Sequence, residues 1–373
     1  VDSLILTLNL GSSSLKYALF EQKLGNLFLV YASKVERINS STTANELVKE
    51  IELKLAKEGI SKSGILGIGC RVVHGGERLT KSTVVTDEIL EEIRSLGVLA
   101  PLHNPFKADI IESCKILFPA VPIVAVFDTA FHNSLPAVAS SYAIPSSIKT
   151  NFRLLRFGFH GIAHQQVSAK LRNYLASNDS SSKLINCHLG NGASVCAILD
   201  GKSIDTSMGF TPMEGLIMGT RSGDIDPGLV LYLTDTLGIP SAEVKAKLNH
   251  ESGLLGLSGI SGDVRILEEE VLKGNKSAEF ALDCFSYRIV KYIGAYIAVL
   301  NGLDAISFSG GIGEHSALVR SKVCQKLDCF GLKFDENANI ISSETDCVRI
   351  SREGSPVSAW VVKANEELQI AQD

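Results

Sequence analysis

The chain has 373 residues, 45% of them hydrophobic, which suits two globular domains of roughly 100 to 200 residues each. A formal net charge of -5 and a pI near 6.0 leave no broad basic field, which argues against nucleic acid or an acidic membrane as partner. Eight cysteines without a CxxC pair, mostly inside apolar runs, read as buried thiols of a reducing compartment, and no charged and apolar leader opens the sequence, so a cytoplasmic protein is expected.

In chain order, residues 4–10 and 17–20 read as the first strands and 43–58 as an amphipathic helix. Residues 65–73 form a strand running into His74-Gly-Gly-Glu77. Residues 87–96 read as a short helix ending at Gly97, followed by a Pro-punctuated loop over 100–105. A buried strand over 121–127 ends in Asp128, where open α/β sheets place ligands, the alternative being a turn or cap role. The second half starts near 131–140, with a hairpin at 184–199, a turn at Asp200-Gly201 and a strand over 203–205. Residues 205–228 are too rich in Gly, Pro, Thr, Ser and Asp for a long helix. The Glu268, Glu269, Glu270 run reads as a solvated helix face. The longest apolar helix, near 289–300, contains Lys291 and is too short for a bilayer. A strand over 303–309 precedes Gly310-Gly-Ile-Gly-Glu-His315, which opens a helix.

Two stretches look like one device used twice. Residues 9–20 and 188–199 each follow an apolar run, turn through small residues and resume an apolar run, as a β-hairpin does. Both turns lack bulky side chains where backbone N–H groups would be exposed, and such amides hold phosphate. The pair suggests a duplicated fold closing on a polyphosphate. Gly310-Gly-Ile-Gly at a helix N-terminus adds a place where backbone approaches a phosphorylated or flat ligand, or else a tight turn. The chain has no GxxxxGK[ST] loop, no third glycine after Gly313 for a dinucleotide fingerprint and no protein-kinase signature set, so any ATP is held by another architecture.

Arg71 and Arg221 sit beside glycine-rich turns in different halves. Each alone reads as a surface ion pair; together they suit two guanidinium groups meeting on a transferring phosphoryl group. All histidines but His250 fall in or beside glycine-rich or strand-end segments, whereas core or surface filling would scatter them. His160 and His164 have the i, i+4 spacing of zinc ligands, but Gly161 disfavours a helix and no carboxylate follows at metalloprotease spacing.

These residues resemble the acetate kinases. The likeness is carried by Asn9-x-Gly-Ser-Ser-Ser-Leu-Lys16, Arg71-Val-Val-His-Gly-Gly-Glu77, Ala-Pro-Leu-His-Asn-Pro105, Phe127-Asp-Thr-Ala-Phe-His132, Gly158-Phe-His-Gly161, His188-Leu-Gly-Asn-Gly192, the 205–228 segment, Gly-Gly-Ile-Gly-Glu314 and Asn365-Glu-Glu-Leu368. It runs the whole chain in order. The resemblance implies the α/β fold of the acetate and sugar kinase, heat-shock chaperone and actin superfamily: two duplicated domains around a central nucleotide cleft. The expected division is 1–130 plus 364–373 as the N-terminal domain and 131–363 as the C-terminal, nucleotide-binding and dimerisation domain. It also implies a homodimer, ATP/ADP as substrate nucleotide, Mg²⁺, and reversible phosphoryl transfer from ATP to acetate or another short-chain carboxylate. The alternatives are a propionate kinase of the same family, a sugar kinase, and an actin-like or chaperone-like ATP clamp.

Residue by residue, the resemblance gives Arg71 and Arg221 the substrate carboxylate and the transferring group, with His160 donating to that group. Asp128 is expected to orient an arginine or Mg²⁺, because a carboxylic acid of pKa about 4 to 5 arrives ionised and needs no general base. Val73, Leu102, Phe159 and Pro212 correspond to the apolar pocket for the substrate methyl, where branched Val73 favours acetate over propionate modestly. Asn9, Ser12, Ser14 and Lys16 line the first-domain side of the phosphate site, and His188, Leu189, Gly190, Asn191 and Gly192 cradle ADP phosphates. Asp263, Val264 and Arg265, with Gly310, Gly311, Ile312, Gly313 and His315, resemble the adenosine side. Asn9 and Glu366 are the expected metal-associated residues. Gly262, and His315 where asparagine is frequent, depart from the commoner pattern, as do Cys70 for histidine and Ala163 for serine.

Overall fold

Each half of the chain is built on a six-stranded mixed sheet, and the two sheets share one topology. The computed structural model describes residues 3–11, 14–36, 42–101, 103–148, 150, 153–175, 182–340 and 345–373. Its first unit comprises Val1–Asn133, Gly161–Gln166 and Asn365–Asp373; the second comprises Ser134–His160 and Val167–Ala364.

In the first unit, β1 (Leu4–Leu10), β2 (Ser14–Lys23) and β3 (Asn26–Glu36) form an antiparallel meander. Next to β1 lie β4 (Ile65–Val72) and then β6 (Ile123–Phe127), both parallel, with the short β5 (Thr83–Val84) antiparallel at the edge. The order is β3-β2-β1-β4-β6-β5. In the second unit β7 (Lys183–Leu189), β8 (Ala193–Leu199) and β9 (Lys202–Thr206) repeat the meander. β10 (Ala305–Ser309) and β12 (Ser358–Val362) repeat the parallel pair, and β11 (Cys347–Arg349) the antiparallel edge. Read from the meander, β9-β8-β7-β10-β12-β11 matches the first sheet strand for strand. The duplication read from the two hairpins is therefore a duplication of whole sheets.

One face of the first sheet is covered by helices α1 (Ala44–Lys57) and α3 (Asn104–Leu117), with α2 (Asp87–Ser95) packed beside α3. Thr43 caps α1 through a reciprocal pair with Glu46, which stops the chain end fraying. Leu47, Val48, Ile51 and Leu55 then fall on one buried stripe at helical spacing. Each such side chain contributes about 1.5 to 3 kcal/mol on burial. The other face receives the terminal helix Glu366–Gln372, whose Ile370 packs with Val126 and Ile162. Gly69 on β4 makes this seat possible: a Cβ there would lie 2.6 Å from Ile370 Cγ2 and 3.1 Å from its carbonyl oxygen.

Several expectations change. The loop over 100–105 ends early, because α3 already begins at Asn104 with Pro105 in its first turn, where a missing N–H is harmless. Gly161 opens the helix Gly161–Leu175 instead of preventing it. A side chain there would put Cβ 2.2 Å from the Asp128 carbonyl oxygen, and the Gly161 N–H donates to that oxygen at 2.9 Å. This packing also sets Gly161–Gln166 in the first unit, along with residues up to Asn133. The apolar helix is Lys276–Leu300, 25 residues, because its earlier turns bury only one stripe and look polar in a window of consecutive residues. No described helix is long and apolar enough to cross a membrane. Glu268 leaves the solvated run to accept a hydrogen bond from Ser316. Six of the eight free cysteines are buried, while Cys284 is half-buried and Cys329 is exposed.

Candidate active site

Two polar clusters stand at the ends of the sheet strands, one in each unit. The first is built on Arg71, near the end of β4, and Asp128, directly after β6. These parallel strands pair Arg71 with Val126 and Val72 with Phe127, so Asp128 emerges beside Arg71. Arg71 Nε donates to both Asp128 oxygens at 3.0 and 3.1 Å, and Nη2 donates to Oδ2 at 2.6 Å. Its Nη1 donates to Asn9 Oδ1 at 3.0 Å and stands 3.8 Å from Glu366. Asp128 and Glu366 hold the guanidinium firmly charged against burial. Asn9 in turn donates to Glu366 Oε2 and Glu367 Oε1, each at 2.9 Å. Its amide thus sets the direction of two carboxylates contributed by the terminal helix. Both carboxylates are hard oxygen donors of the kind Mg²⁺ takes one or two of, the rest of its shell coming from water and phosphate.

The turn between β1 and β2 is closed by Gly11 N–H donating to the Ser14 carbonyl at 2.8 Å. Ser14 is half-buried and Lys16 exposed, while Ser12 and Leu102 lie outside the described residues. Val73, one residue past β4, is buried at 8% exposure. His74 follows it, fully buried; its Nδ1 accepts from Gly76 N–H at 2.9 Å, and burial pushes its pKa down to about 4.

The second cluster surrounds the turn between β7 and β8, closed by Gly190 N–H donating to the Gly192 carbonyl at 3.0 Å. A Cβ at Gly192 would lie 3.4 Å from His160 Nε2 and 3.6 Å from Arg221 Nη1, so this glycine lets both side chains close on the turn. His160 has φ +59°, an uncommon value for a side-chain-bearing residue. Its Nδ1 pairs with Ser194 Oγ at 2.9 Å, and its Nε2 lies on the side of Gly192. The His188 ring stands 5.0 Å from that of His160, edge-on, and its Nδ1 pairs with Ser309 Oγ at 3.1 Å.

Arg221 differs from Arg71 in its company. Its Nη1 donates to the Pro212 carbonyl at 2.8 Å, with the Met218 sulfur at 3.6 Å, and no carboxylate pairs with it among the described residues. Burial lowers its pKa, the opposite direction to Arg71. A desolvated guanidinium without a counter-ion is an anion site in waiting. The segment that carries it is fastened by Arg156, whose Nη1 donates to the carbonyls of Thr206, Ser207 and Met208 while Nη2 pairs with Glu214.

Around this turn the remaining glycines are close-packed backbone. Gly219 N–H donates to the Asn191 carbonyl at 3.0 Å, and a Cβ on Gly262 would come 2.6 Å from the Gly219 carbonyl oxygen. A side chain at position 262 would therefore meet backbone. Gly310, at φ +75°, lies against the Leu189 carbonyl; its N–H donates to Glu314 Oε1, which also accepts from Ala364 N–H. Gly311 is open, Ile312 half-buried, Gly313 buried and His315 exposed. Asp263 caps the helix Val264–Leu272 and pairs with Arg265 at 2.6 Å, which is exposed. Phe159 is buried and Pro212 half-buried in this unit.

His164, the other zinc candidate, is fully buried in the first unit with its ring 5.8 Å from His132, whereas His160 belongs to the second unit. No group of three or more potential metal-ligating side chains occurs among the described residues.

Sequence reasoning overlooked Lys107, Glu367 and Ser194. Lys107 is buried, its Nζ donates to the Leu10 carbonyl at 2.6 Å, and burial followed by the nearby Arg71 pushes its pKa down to about 7 against the pull of Asp128 and Glu366. Its position on a helix stripe among apolar neighbours was the available signal. Glu367 lies inside the Asn365-Glu-Glu-Leu368 motif, whereas Ser194 carried no signal, since its pairing with His160 joins distant segments.

The acetokinase family model matches residues 26–372. Acetate kinase 2 of Clostridium perfringens is 44% identical over 99% of this chain and 98% of its own length. The acetate kinase of Heliobacterium modesticaldum is 43% identical over 99% and 98%. Among solved structures, Porphyromonas gingivalis acetate kinase superposes with TM-score 0.89 at 36% identity, covering 100% of this chain and 98% of that one. A propionate kinase from Francisella tularensis gives 0.88 at 38%, covering 99% and 98%.

Proposed function

Because the chain belongs to the acetokinase family, we infer that it is an acetate kinase: it transfers the γ-phosphoryl group of ATP to acetate, reversibly, giving acetyl phosphate and ADP. The observation that carries the assignment of the site is Arg221, half-buried, without a carboxylate partner among the described residues, and converging with His160 Nε2 on Gly192.

The roles follow from charge. In phosphoryl transfer negative charge spreads over three equatorial oxygens, so the protein supplies position and cations. Arg221 and His160 Nε2 take those oxygens, and the turn 188–192 receives the ADP phosphates. Arg71, held by Asp128, presents its remaining N–H groups to the substrate carboxylate, which attacks already ionised, so Asp128 works as an orienter. The family resemblance assigns the phosphates to Asn9, Ser12, Ser14 and Lys16, and the adenosine to segments 263–265 and 310–315. Glu366, aimed by Asn9, would hold Mg²⁺ with Glu367 beside it. Bound there, the ion would neutralise phosphate charge.

The family resemblance assigns the substrate methyl to Val73, Leu102, Phe159 and Pro212, and the likeness to a propionate kinase makes propionate the acid to compare. A homodimer through the second unit is supported by exposed Leu229, Leu231, Tyr232 and Leu237 on consecutive turns, and a cytoplasmic setting by the free thiols.

The test is acyl phosphate trapped as hydroxamate with Mg-ATP and acetate, propionate, butyrate or glycerol. Acetate should give most product, and Arg221→Ala should abolish it. An Arg221→Ala variant with undiminished turnover would overturn the site assignment.

A further inference from the structure

Lys107 is a charge that the proposed reaction leaves unexplained. It sits in the first turn of α3, where the helix dipole disfavours a cation, and it is 3% exposed. Among the described residues its ammonium makes one hydrogen bond, to the carbonyl of Leu10, the last residue of β1. A neutral carbonyl compensates poorly for burying a full charge, and a methionine would fill the same space without that penalty. The charged groups that face it come from three other elements: Arg71 on β4, which repels it, Asp128 after β6 and Glu366 on the terminal helix, which attract it, with the Cys70 thiol also on β4. Those two carboxylates are engaged with Arg71 and Asn9.

The bonded atom locates the role. Leu10 stands between Asn9 and the turn, and the peptide unit joining Leu10 to Gly11 is held at both ends. Its oxygen accepts from Lys107, and its N–H donates to the Ser14 carbonyl. That peptide sets the direction in which the chain leaves β1.

We propose that Lys107 is a positioning residue for phosphoryl transfer: it presets the phosphate-facing turn through the Leu10 carbonyl and adds a second buried cation to the Arg71, Asp128 and Glu366 cluster. The inference rests on reading the turn after Asn9 as phosphate-binding. Its ligand class is therefore the phosphoanhydride or acyl phosphate, and the free carboxylic acid is unaffected.

The test uses the full chain with Lys107→Met and Lys107→Gln, assayed in both directions and by thermal melting. At an effective dielectric near 20, losing a buried cation beside this cluster is worth about tenfold in rate. Lys107→Met should lose at least about tenfold in kcat, with KM for acetate within about twofold, and its melting midpoint should stay level or rise. Lys107→Gln, which keeps an N–H donor without charge, should fall between. A merely structural tether gives the opposite signature, a lower midpoint with kcat intact, and that result overturns the proposal. If the Met variant fails to fold, the Gln variant decides, and kcat within about twofold of the parent overturns it. Arg221→Ala assayed in parallel separates the two readings: inactive Arg221→Ala beside unaffected Lys107 variants sinks this inference alone, while active Arg221→Ala sinks the site assignment.

Discussion

Replacing Asp128 by asparagine keeps its shape and removes the carboxylate that aims Arg71. In the parent, Arg71 Nε and Nη2 both donate to the carboxylate, with distances down to 2.6 Å. The amide retains one acceptor oxygen and turns an NH₂ toward the guanidinium. Two charge-assisted bonds of about 1.5 to 3 kcal/mol each become one weaker bond to a neutral amide oxygen of about 1 to 2 kcal/mol, a loss on the order of 2 to 4 kcal/mol. Expressed in the transition state, that lowers kcat/KM about 30- to 1000-fold. The hydroxamate assay reads it, with thermal melting to confirm a folded chain. Because a substrate acid of pKa about 4 to 5 arrives ionised, no proton has to be removed, and the pH profile of Asp128→Asn should run parallel to the parent from about pH 6 to 9. Activity within about threefold of the parent would refute the orienting role. A profile that loses one limb would instead make Asp128 a proton acceptor.

His74 supplies a pH prediction. Its native pKa of about 4 lies below the ordinary value of 6.5, so between those limits the unfolded chain binds a proton that the native state refuses. The stability is complete above about pH 6.5 and is lost as pH falls toward 4, by up to about 3 kcal/mol. Urea midpoints against pH should fall less steeply for His74→Gln than for the parent, and equal slopes would remove His74 from the account. Val73→Ala should widen the methyl pocket and raise the propionate-to-acetate ratio of kcat/KM about tenfold, since one methylene is worth about 1 to 3 kcal/mol. An unchanged ratio would place Val73 outside the pocket.

What the sequence by itself determined is local. The paired small-residue turns, the strands on either side of them, the capped helix after Thr43 and the strand ending at Asp128 are written in short-range pattern, because turn chemistry and helical or alternating periodicity act over a few residues. The family's spaced motifs named Arg71, His160 and Arg221 for the same reason. Only the tertiary structure decided which arginine is already paired. Arg71 meets Asp128 because β4 and β6 are neighbours, whereas among the described residues Arg221 finds a carbonyl and a thioether. It also decided that Gly161 begins a helix, where a backbone oxygen leaves no room for a Cβ, and that Lys107 is a buried charge instead of a solvated one. Such outcomes depend on residues tens to hundreds of positions apart arriving at the same place. Proximity of that kind comes from sheet order and helix seating, which no local window contains.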